Sequence, residues 1–334
     1  MSTEILPFTQ DMAPAAGELL SNRHKRNRKH LPVLSERFDN HEATSKALKV
    51  LLEKKVANGY VAMRDGKMVA YLLGDSTLEP WGRCGWVRLP GYALANGESV
   101  STLQDLYVRL GDDWVRNGVF IHHAYISCAD EDVVDAWFAL DFGKERIDAI
   151  LDLVQIEIPE IRIPDGIRIR RAGPGDNDRL ADLSHIIFRE LEKPPYWHPT
   201  PPETWDELKE GWAELANDNS VSIWLAMENQ NALGMIGFWA QEESEVDMLA
   251  APKMSYLSVA ATREAARGRG IATALTWSGL AYCKQNGDDF CITNWISPNL
   301  TASRFWPRYG FKEVAYRLTK QINPMITWTR LKKV

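Results

Sequence analysis

The sequence predicts a mixed α/β fold that is organised as two tandem domains. Strand-like and helix-like apolar patterns alternate along the chain. Their order is similar in the two halves, and a proline-containing stretch separates these halves. With 334 residues, the chain is long enough for two domains of ordinary size.

The boundary between the predicted domains lies near residue 160. Pro159, Pro164 and Gly166 interrupt the apolar patterns there, and such residues end regular secondary structure. We therefore predict an N-terminal domain over residues 1–160 and a C-terminal domain over residues 161–334.

The C-terminal half gives the clearer succession of elements. Residues 228–231 are polar and suit the turn of a hairpin, and Gly287 suits the end of a helix. The apolar patterns predict a strand at 167–171, a helix at 176–191, strands at 221–227, 234–239 and 254–260, a helix from 270 to 286, a strand at 289–297, a helix at 299–309 and a strand at 311–322.

The N-terminal half repeats this order more faintly. Ser101 and Gln104 have the spacing of a capping box at the start of a long helix. The predicted elements are a helix near 15–29, strands at 59–63, 68–73 and 86–89, a helix at 101–117, a strand at 120–127, a helix at 132–140 and a strand at 147–153. No pair of glycines precedes the 101–117 helix, in contrast to the C-terminal half.

Composition excludes several classes of protein. A formal net charge of −6 disfavours a general nucleic-acid binder, and no apolar run reaches the roughly 18 residues of a membrane span. The four cysteines are scattered, and the histidines lack metal-ligand spacing, so we expect neither a metal site nor a disulfide framework. We expect a cytoplasmic protein with no nucleic-acid or membrane partner.

The loop before the C-terminal long helix has the composition of an anion site. Gly268 and Gly270 allow a phosphate to approach backbone amides at a helix start, and Arg267 and Arg269 add positive charge. By itself this pattern is equally compatible with a glycine turn that carries solvated arginines.

Two motifs in this half resemble those of the GNAT superfamily of N-acetyltransferases. The stretch Arg267-Gly268-Arg269-Gly270-Ile271-Ala272 resembles the family's pyrophosphate motif [QR]-x-x-G-x-[GA] and has the expected place between a strand and a helix. The later motif N-x-x-A-x-x-x-Y followed by Gly-Phe has a counterpart in Asn299, Ala302, Trp306, Gly310 and Phe311. The loop fits neither a dinucleotide fingerprint nor a Walker loop.

The resemblance implies that each domain has a mostly antiparallel central sheet flanked by helices. It also implies that the C-terminal domain binds acetyl-CoA and transfers the acetyl group to the amine of a small-molecule or peptide acceptor. The residues implied in binding acetyl-CoA are Leu257, Val259, Arg267, Gly268, Arg269, Gly270, Ile271, Ala272, Thr273 and Asn299. The N-terminal domain resembles the fold but lacks the CoA loop.

The catalytic groups depart from the family pattern. Trp306 stands where the family often has a tyrosine acid, and an indole is no proton donor near neutral pH. Asp247 is our candidate for a base acting through water, with a solvated loop carboxylate as the alternative. A non-catalytic acyl-CoA-binding regulatory protein is therefore the alternative function. The acceptor's identity and the oligomeric state stay open at this stage.

Two further segments have two interpretations each. The proline- and aromatic-rich residues 194–205 suit either a wall of an acceptor pocket or a rigid loop that covers the core. The basic residues 23–29 suit either an acidic partner or the wet face of an amphipathic helix.

Overall fold

The computed structural model describes residues 3–79 and 82–331. The chain divides into two compact units. Unit 1 contains the residues up to Asp148, the segment Glu243–Ala250 and the residues from Glu313 onward, whereas unit 2 contains Ala149–Glu242 and Ala251–Lys312.

Unit 1 is a sheet with helices. Its strands are β1 (Glu4–Pro7), β2 (Asn58–Arg64), β3 (Lys67–Glu79), β4 (Gly82–Val87), β5 (Tyr92–Leu94), β6 (Ile121–Ser127), most of β7 (Gly143–Asp152) and β13 (Lys312–Gln321). Its helices are α1 (Ala13–His30), α2 (His41–Leu52), α3 (Ser101–Arg116), α4 (Glu131–Ala139) and α10 (Ile326–Leu331).

The sheet of unit 1 has the order β1-β2-β3-β4-β6-β13-β7, with β5 paired to β3. The β4–β6 pair is parallel, and β13 pairs antiparallel with β6 from Ala315↔Ser127 to Gln321↔Ile121. Leu106 and Leu110 of α3 pack with Ile126 of β6 and Trp137 of α4 in the core of this unit. A strand from the end of the chain therefore completes the N-terminal sheet.

Unit 2 has the same kind of architecture. Its strands are β8 (Ile167–Arg171), β9 (Val221–Glu228), β10 (Asn231–Ala240), β11 (Met254–Thr262) and β12 (Phe290–Ile296), and its helices are α5 (Asn177–Leu183), α6 (His185–Leu191), α7 (Trp205–Glu214), α8 (Ile271–Gln285) and α9 (Leu300–Phe305). The strands follow one another in the order β8-β9-β10-β11-β12. All pairs are antiparallel except β11–β12, which is parallel.

Helix α8 lies very close to the sheet of unit 2. A Cβ atom added at Gly279 would stand 2.1 Å from the Phe238 ring of β10, so only glycine permits this approach. On the α5 and α7 side, Leu180 and Leu183 pack against Ile223, Leu225 and other strand residues. These two layers hold the start of α8 beside the strands that it follows.

The predicted fold class is confirmed, with local differences. The predicted helix at 176–191 is interrupted at Ser184, whose hydroxyl donates to the Ala181 carbonyl (2.6 Å), a local bond that competes with helix. The predicted capping box of Ser101 and Gln104 is wrong. The Ser101 amide donates to Ser99 Oγ (3.3 Å), and Gln104 Nε2 donates to the Ala136 carbonyl (3.0 Å) instead of capping the helix. Helix α2 was not predicted at all.

The compact units do not follow a single cut near residue 160. Strand β13 belongs by its contacts to unit 1, although its sequence lies in the C-terminal half. The segment Glu243–Ala250 also joins unit 1. Proline and glycine residues indicate where a helix or strand ends, but they do not indicate which sheet a later strand joins.

Candidate functional site

The loop before α8 forms an anion cradle made of backbone. Gly268 and Gly270 have φ angles of 76° and 82°, in the left-handed region that favours glycine. Helix α8 begins at Ile271, and its first turn closes where the Ala274 amide donates to the Gly270 carbonyl (3.0 Å). The preceding amides have no carbonyl partner within the helix, and the helix dipole at this end attracts an anion.

The two arginines of this loop form ion pairs with carboxylates. Arg267 Nη2 lies 3.0 Å from Glu190 Oε2, and Arg269 Nη2 lies 2.5 Å from Glu228 Oε1. Burial disfavours ionisation of Glu190, but hydrogen bonds from Arg267 and Lys193 outweigh it and hold its pKa below the ordinary value. An incoming anion must therefore compete with Glu190 and Glu228 for the two arginines, whereas the amides of the cradle can donate to it directly.

Two neighbouring parallel strands separate in the middle of unit 2. The pairing of β11 with β12 runs from Met254↔Phe290 to Leu257↔Thr293 and stops there. Thr293 Oγ1 donates to the Leu257 carbonyl (2.9 Å) at the last pair. The register of β11 with β10 shifts just beyond it, which leaves Ser258 as the extra residue of a bulge. The separation and the bulge together turn backbone groups of β11 away from their neighbouring strands.

A cavity of about 340 Å³ begins at this separation. Helices α6, α8 and α9 contribute to its wall with strands β11 and β12, and all the lining residues belong to unit 2. Most of the wall is apolar, with Ile186, Ile187, Leu191, Leu257, Val259, Leu275, Ile296, Phe305 and Trp306 among its side chains. Its shape suits a long, mostly apolar chain that ends in a charged group at the α8 cradle.

The structure brings the predicted ligand-binding residues to one place. Leu257, Val259, Arg267, Ala272 and Asn299 line the cavity. The others, Gly268, Arg269, Gly270, Ile271 and Thr273, form the cradle and the first turn of α8. Their individual roles remain predictions, but their neighbourhood is now defined.

Asn299 has a structural task as well as a place in the cavity. Its Oδ1 accepts the Ala302 amide (3.1 Å) and so caps α9. The cap uses one lone pair of this oxygen, and the side-chain NH₂ group remains able to donate to a ligand.

Trp306 and Tyr309 lie in an aromatic cluster. Trp306 is 6% exposed and packs with Phe305 and Phe311, while its side chain also contributes to the cavity wall. Tyr309 is equally buried, and its hydroxyl donates to Thr273 Oγ1 (3.0 Å) at the start of α8. Burial raises the pKa of Tyr309. Neither residue is placed as an acid at the strand separation.

Asp247 lies in the segment that belongs to unit 1. Its Oδ1 accepts the amides of Leu249 (2.9 Å) and Ala250 (3.2 Å), so the carboxylate shapes a local turn. It is not among the residues that line the 340 Å³ cavity. Its catalytic role remains a prediction.

Several lining residues escaped the sequence analysis. Ile186, Ile187 and Glu190 come from α6, and Thr293 and Asn294 come from the end of β12. The position of Thr293 and Asn294 in the second half of a buried strand was a usable signal, because side chains toward the carboxyl ends of parallel strands often line sites. No comparable signal marks the α6 residues, whose apolar spacing is that of any core helix.

Comparison with known proteins agrees with this geometry. Residues 185–311 match the family described as "Acetyltransferase (GNAT) family". These residues are a GNAT acetyltransferase domain. The matched range covers α6, the cavity strands, the cradle and α9, so it coincides with the site in unit 2.

Two relatives share the name "Mycothiol acetyltransferase". The protein from Rhodococcus erythropolis is 26% identical over 194 residues, which cover 53% of this chain and 59% of the relative. The protein from Nocardia farcinica is also 26% identical over 194 residues, with 55% and 59% covered. The match thus spans only about three fifths of either relative.

Solved structures extend the likeness of fold to nearly the whole chain. A GCN5-related N-acetyltransferase from Sphaerobacter thermophilus superposes with a TM-score of 0.61, at 18% identity, over 96% of each chain. A tandem GNAT protein from the clavulanic acid biosynthesis pathway gives 0.52, at 11% identity, over 97% of this chain and 99% of its own. The tandem GNAT fold is therefore shown for this chain.

In unit 1 a buried tyrosine lies beyond the end of the parallel strand pair. The parallel β4–β6 pairing ends at Val87↔Ala124. Beyond this point the fully buried Tyr92 bridges the strands: its hydroxyl accepts the Ser127 amide (3.1 Å) and donates to Asp130 Oδ2 (2.8 Å). Burial raises the pKa of Tyr92, which keeps the phenol neutral.

The helix start that follows in unit 1 also holds an internal anion. Glu98 precedes α3, and its carboxylate accepts from Thr102 Oγ1 (2.7 Å) and from both terminal nitrogens of Arg64 (2.6 and 3.0 Å). Its side chain is only 7% exposed. The hydrogen bond from Arg64 is the main cause that holds the pKa of Glu98 below its ordinary value. A buried carboxylate thus stands at the start of α3, where α8 of unit 2 has a glycine cradle.

The structure describes the two segments for which the sequence left two interpretations each, the basic residues 23–29 and the aromatic residues 194–205. In the basic stretch, Arg23, His24 and Asn27 are buried, and Arg28 pairs with Glu36 (2.7 Å) and with Asp39, so this stretch is not a continuous wet face. In the aromatic stretch, the rings of Tyr196 and His198 stack at 5.4 Å, and Trp197 is 67% exposed; neither Trp197 nor its neighbours line the cavity.

Within residues 3–79 and 82–331, no helix combines the length and apolar character of a membrane span. Across the same residues, histidine, cysteine and acidic side chains nowhere gather in threes at metal-binding distance.

Proposed function

We propose that this protein is an N-acetyltransferase that transfers an acetyl group from acetyl-CoA to the amine of a small-molecule acceptor. The observation that carries the proposal is the cavity of unit 2, which connects the β11–β12 separation to the α8 cradle. A ligand with an extended apolar arm and a pyrophosphate matches both ends of this cavity.

The groups that would hold acetyl-CoA follow from their positions. The amides of residues 269–273 would bind the pyrophosphate, and backbone groups of Leu257 and Val259 would pair with the pantetheine arm. Asn299 would donate its side-chain NH₂ group to the same arm. The thioester would lie at the separation beyond Leu257↔Thr293, where a β11 amide would stabilise the oxyanion.

The reaction would be a direct attack of the acceptor nitrogen on the thioester carbon. The new C–N bond forms as the C–S bond breaks, the thiolate takes the electron pair, and the nitrogen loses a proton. A base must take that proton, and we retain Asp247 as the candidate for acting through water. The thiolate is a fair leaving group because its thiol has a pKa of about 8.5.

For the acceptor, the names of the relatives suggest a first candidate. Two proteins called mycothiol acetyltransferase share 26% identity with this chain over 194 residues. We therefore propose a small amine related to mycothiol as the first acceptor to assay, with peptide amines as the second class. Turnover of acetyl-CoA with a panel of small amines, peptides and antibiotics tests this proposal.

A non-catalytic acyl-CoA-binding regulatory protein is the second candidate function. It is favoured by Trp306, which stands at the family's usual tyrosine position and is packed into an aromatic cluster. Binding of acetyl-CoA without turnover of any amine in the panel would favour this candidate. Absence of binding would exclude both functions.

We further propose a division of roles between residues 1–160, as a domain without a CoA site, and residues 161–334, as the acetyl-CoA domain. The support comes from Tyr92, which is buried beyond the end of the β4–β6 pairing of unit 1, and from Glu98, whose carboxylate lies at the start of α3. In unit 2 the segment before α8 carries Gly268 and Gly270 instead of such a carboxylate. Repulsion between Glu98 and a phosphate would add to the lack of space.

Isothermal titration calorimetry should therefore find one acetyl-CoA per chain. The physical reason is that, among the described residues, a glycine cradle and a separation of parallel strands occur together in unit 2. Two equivalent sites would contradict the division of roles while leaving the proposed activity intact, and no site would contradict both.

A further inference from the structure

The cavity of unit 2 has few groups that can exchange a proton. Among its lining residues in the described chain, only Glu190 and Arg267 are ionisable, and these two form an ion pair at the cradle end. The strand separation itself is lined by Leu257, Ser258 and Thr293, and Thr293 uses its hydroxyl hydrogen on the Leu257 carbonyl. A side-chain proton donor for the leaving thiolate, where one takes part, therefore lies just behind this wall.

Tyr256 has the required position. It precedes Leu257, the last β11 residue paired to β12, and its own partner on β12 is Ile292. Asn294, two residues after Ile292, has its side chain on the same face of the sheet and lines the cavity. Asn294 Nδ2 donates to the Tyr256 hydroxyl at 2.8 Å. The phenol is therefore half-buried and one hydrogen bond away from the cavity wall.

The direction of this hydrogen bond matters for the chemistry. Tyr256 accepts from Asn294, so the phenol oxygen uses a lone pair and keeps its hydrogen for another acceptor. In the described part of the chain no residue accepts that hydrogen. A donor held on the phenol oxygen also stabilises the phenolate that forms when the proton leaves. This is the arrangement that a general acid requires.

We propose that Tyr256 is the general acid of the acetyl transfer and that Asn294 is its positioning residue. The proposal rests on the proposed function and names the proton donor of that same site. As the C–S bond breaks, the phenol gives its proton through an intervening water to the thiolate sulfur, which becomes the free thiol of CoA. The base takes the proton that the acceptor nitrogen loses, and this proton returns through water to the phenolate, so the phenol and the base are both restored.

The substitution Tyr256→Phe tests this role in the full chain. It removes the hydroxyl and keeps the ring, so we expect kcat to fall by about tenfold to a hundredfold. This is at or below the lower limit of the usual range for acid catalysis, because a thiolate is a fair leaving group. The acetyl-CoA Kd from calorimetry should stay within about twofold, since the hydroxyl makes no ground-state contact with the cradle. Rates are measured with acetyl-CoA and the amine that reacts fastest in the panel.

Tyr282→Phe is the matched control. Tyr282 also lies in unit 2, and its phenol oxygen also accepts a side-chain hydrogen bond, from Arg171 Nη1 at 2.8 Å, but it does not line the cavity. Its kcat should equal that of the wild type. Asn294→Asp should lower kcat as Tyr256→Phe does, because a carboxylate would accept the phenol hydrogen instead of stabilising the phenolate.

A spectroscopic measurement tests the contact without turnover. With 3-fluorotyrosine in place of Tyr256, the ¹⁹F resonance should shift when CoA is added, whereas 3-fluorotyrosine in place of Tyr282 should give no shift. The two proposals fail separately. Wild-type protein that binds no CoA overturns the proposed function. If the wild type is active, unchanged kcat in Tyr256→Phe, a matching loss of CoA affinity, or an unmoved ¹⁹F resonance overturns the role of Tyr256 alone.

Discussion

The substitution Gly270→Val should weaken acetyl-CoA binding by about a hundredfold to ten-thousandfold. Valine would place a branched side chain at the amides of the α8 cradle, at a φ of 82° that only glycine adopts readily. Loss of two charge-assisted hydrogen bonds at roughly 1.5 to 3 kcal/mol each gives this range. Calorimetry with acetyl-CoA measures the effect.

The effect of backbone strain at position 270 must be distinguished from the effect of losing hydrogen bonds to acetyl-CoA. Within the protein, a Cβ at Gly270 would approach only Pro164 Cγ, at 3.8 Å, so the first atom of the new side chain has room. Gly287 lies just beyond the other end of α8, has a φ of 90° and would give its Cβ no neighbour within 4 Å. Gly287→Val therefore carries comparable backbone strain without touching the cradle.

We expect Gly287→Val to lower the melting temperature and to keep the acetyl-CoA affinity of the wild type. The decisive sample is Gly270→Val protein whose circular dichroism and melting temperature match those of the control variant. If this folded protein binds acetyl-CoA with unchanged affinity, the cradle does not bind the pyrophosphate, and the main support for acetyl transfer is lost.

The substitution Arg23→Ala should destabilise unit 1 by about 3 to 5 kcal/mol, the usual cost of removing one partner from a buried charged group. The Arg23 side chain is 3% exposed. Its guanidinium donates to the carbonyls of Leu89 (2.8 Å) and Tyr92, lies 3.9 Å from the Tyr92 ring centroid and stands 3.8 Å from Asp130. Alanine would leave two buried carbonyls and a carboxylate short of a partner.

Urea unfolding monitored by circular dichroism measures this loss. Lys25→Ala is the matched control, because Lys25 is an exposed cation of the same helix, and its removal should change the free energy of unfolding by no more than about 0.5 kcal/mol. Equal unfolding midpoints for the two variants would show that Arg23 contributes no more than a surface charge.

The sequence predicted the features that depend on local chemistry. The left-handed angles at Gly268 and Gly270, the following helix and the strand before it are all visible in residue types at short spacing. Most of the succession of strands and helices along each half was likewise available from apolar patterns, although the sheet that β13 joins was not. Two local predictions were wrong: the continuous helix through Ser184 and the capping box at Ser101. Several short polar side chains compete for the same backbone groups at such places, and only the surrounding structure decides between them.

The rest of the site depends on contacts between distant segments. Glu190 pairs with Arg267 although 77 positions separate them, and Asn294 meets Tyr256 across 38 positions. Periodicity identifies Tyr256 only as a strand residue and Glu190 only as a helix residue. Their chemical roles can be inferred only once the fold brings each residue beside its partner.

The place of β13 has a consequence for biosynthesis. His123 of β6 and its hydrogen-bond partner Thr319 of β13 are 196 positions apart. At a synthesis rate of about 5 to 20 residues per second, β6 waits roughly 10 to 40 s for that partner to leave the ribosome. During this time one edge of β6 has no β13 to receive its backbone groups, and such an edge invites pairing with other chains. We therefore expect a fragment that stops before β13 to aggregate more readily than the full chain.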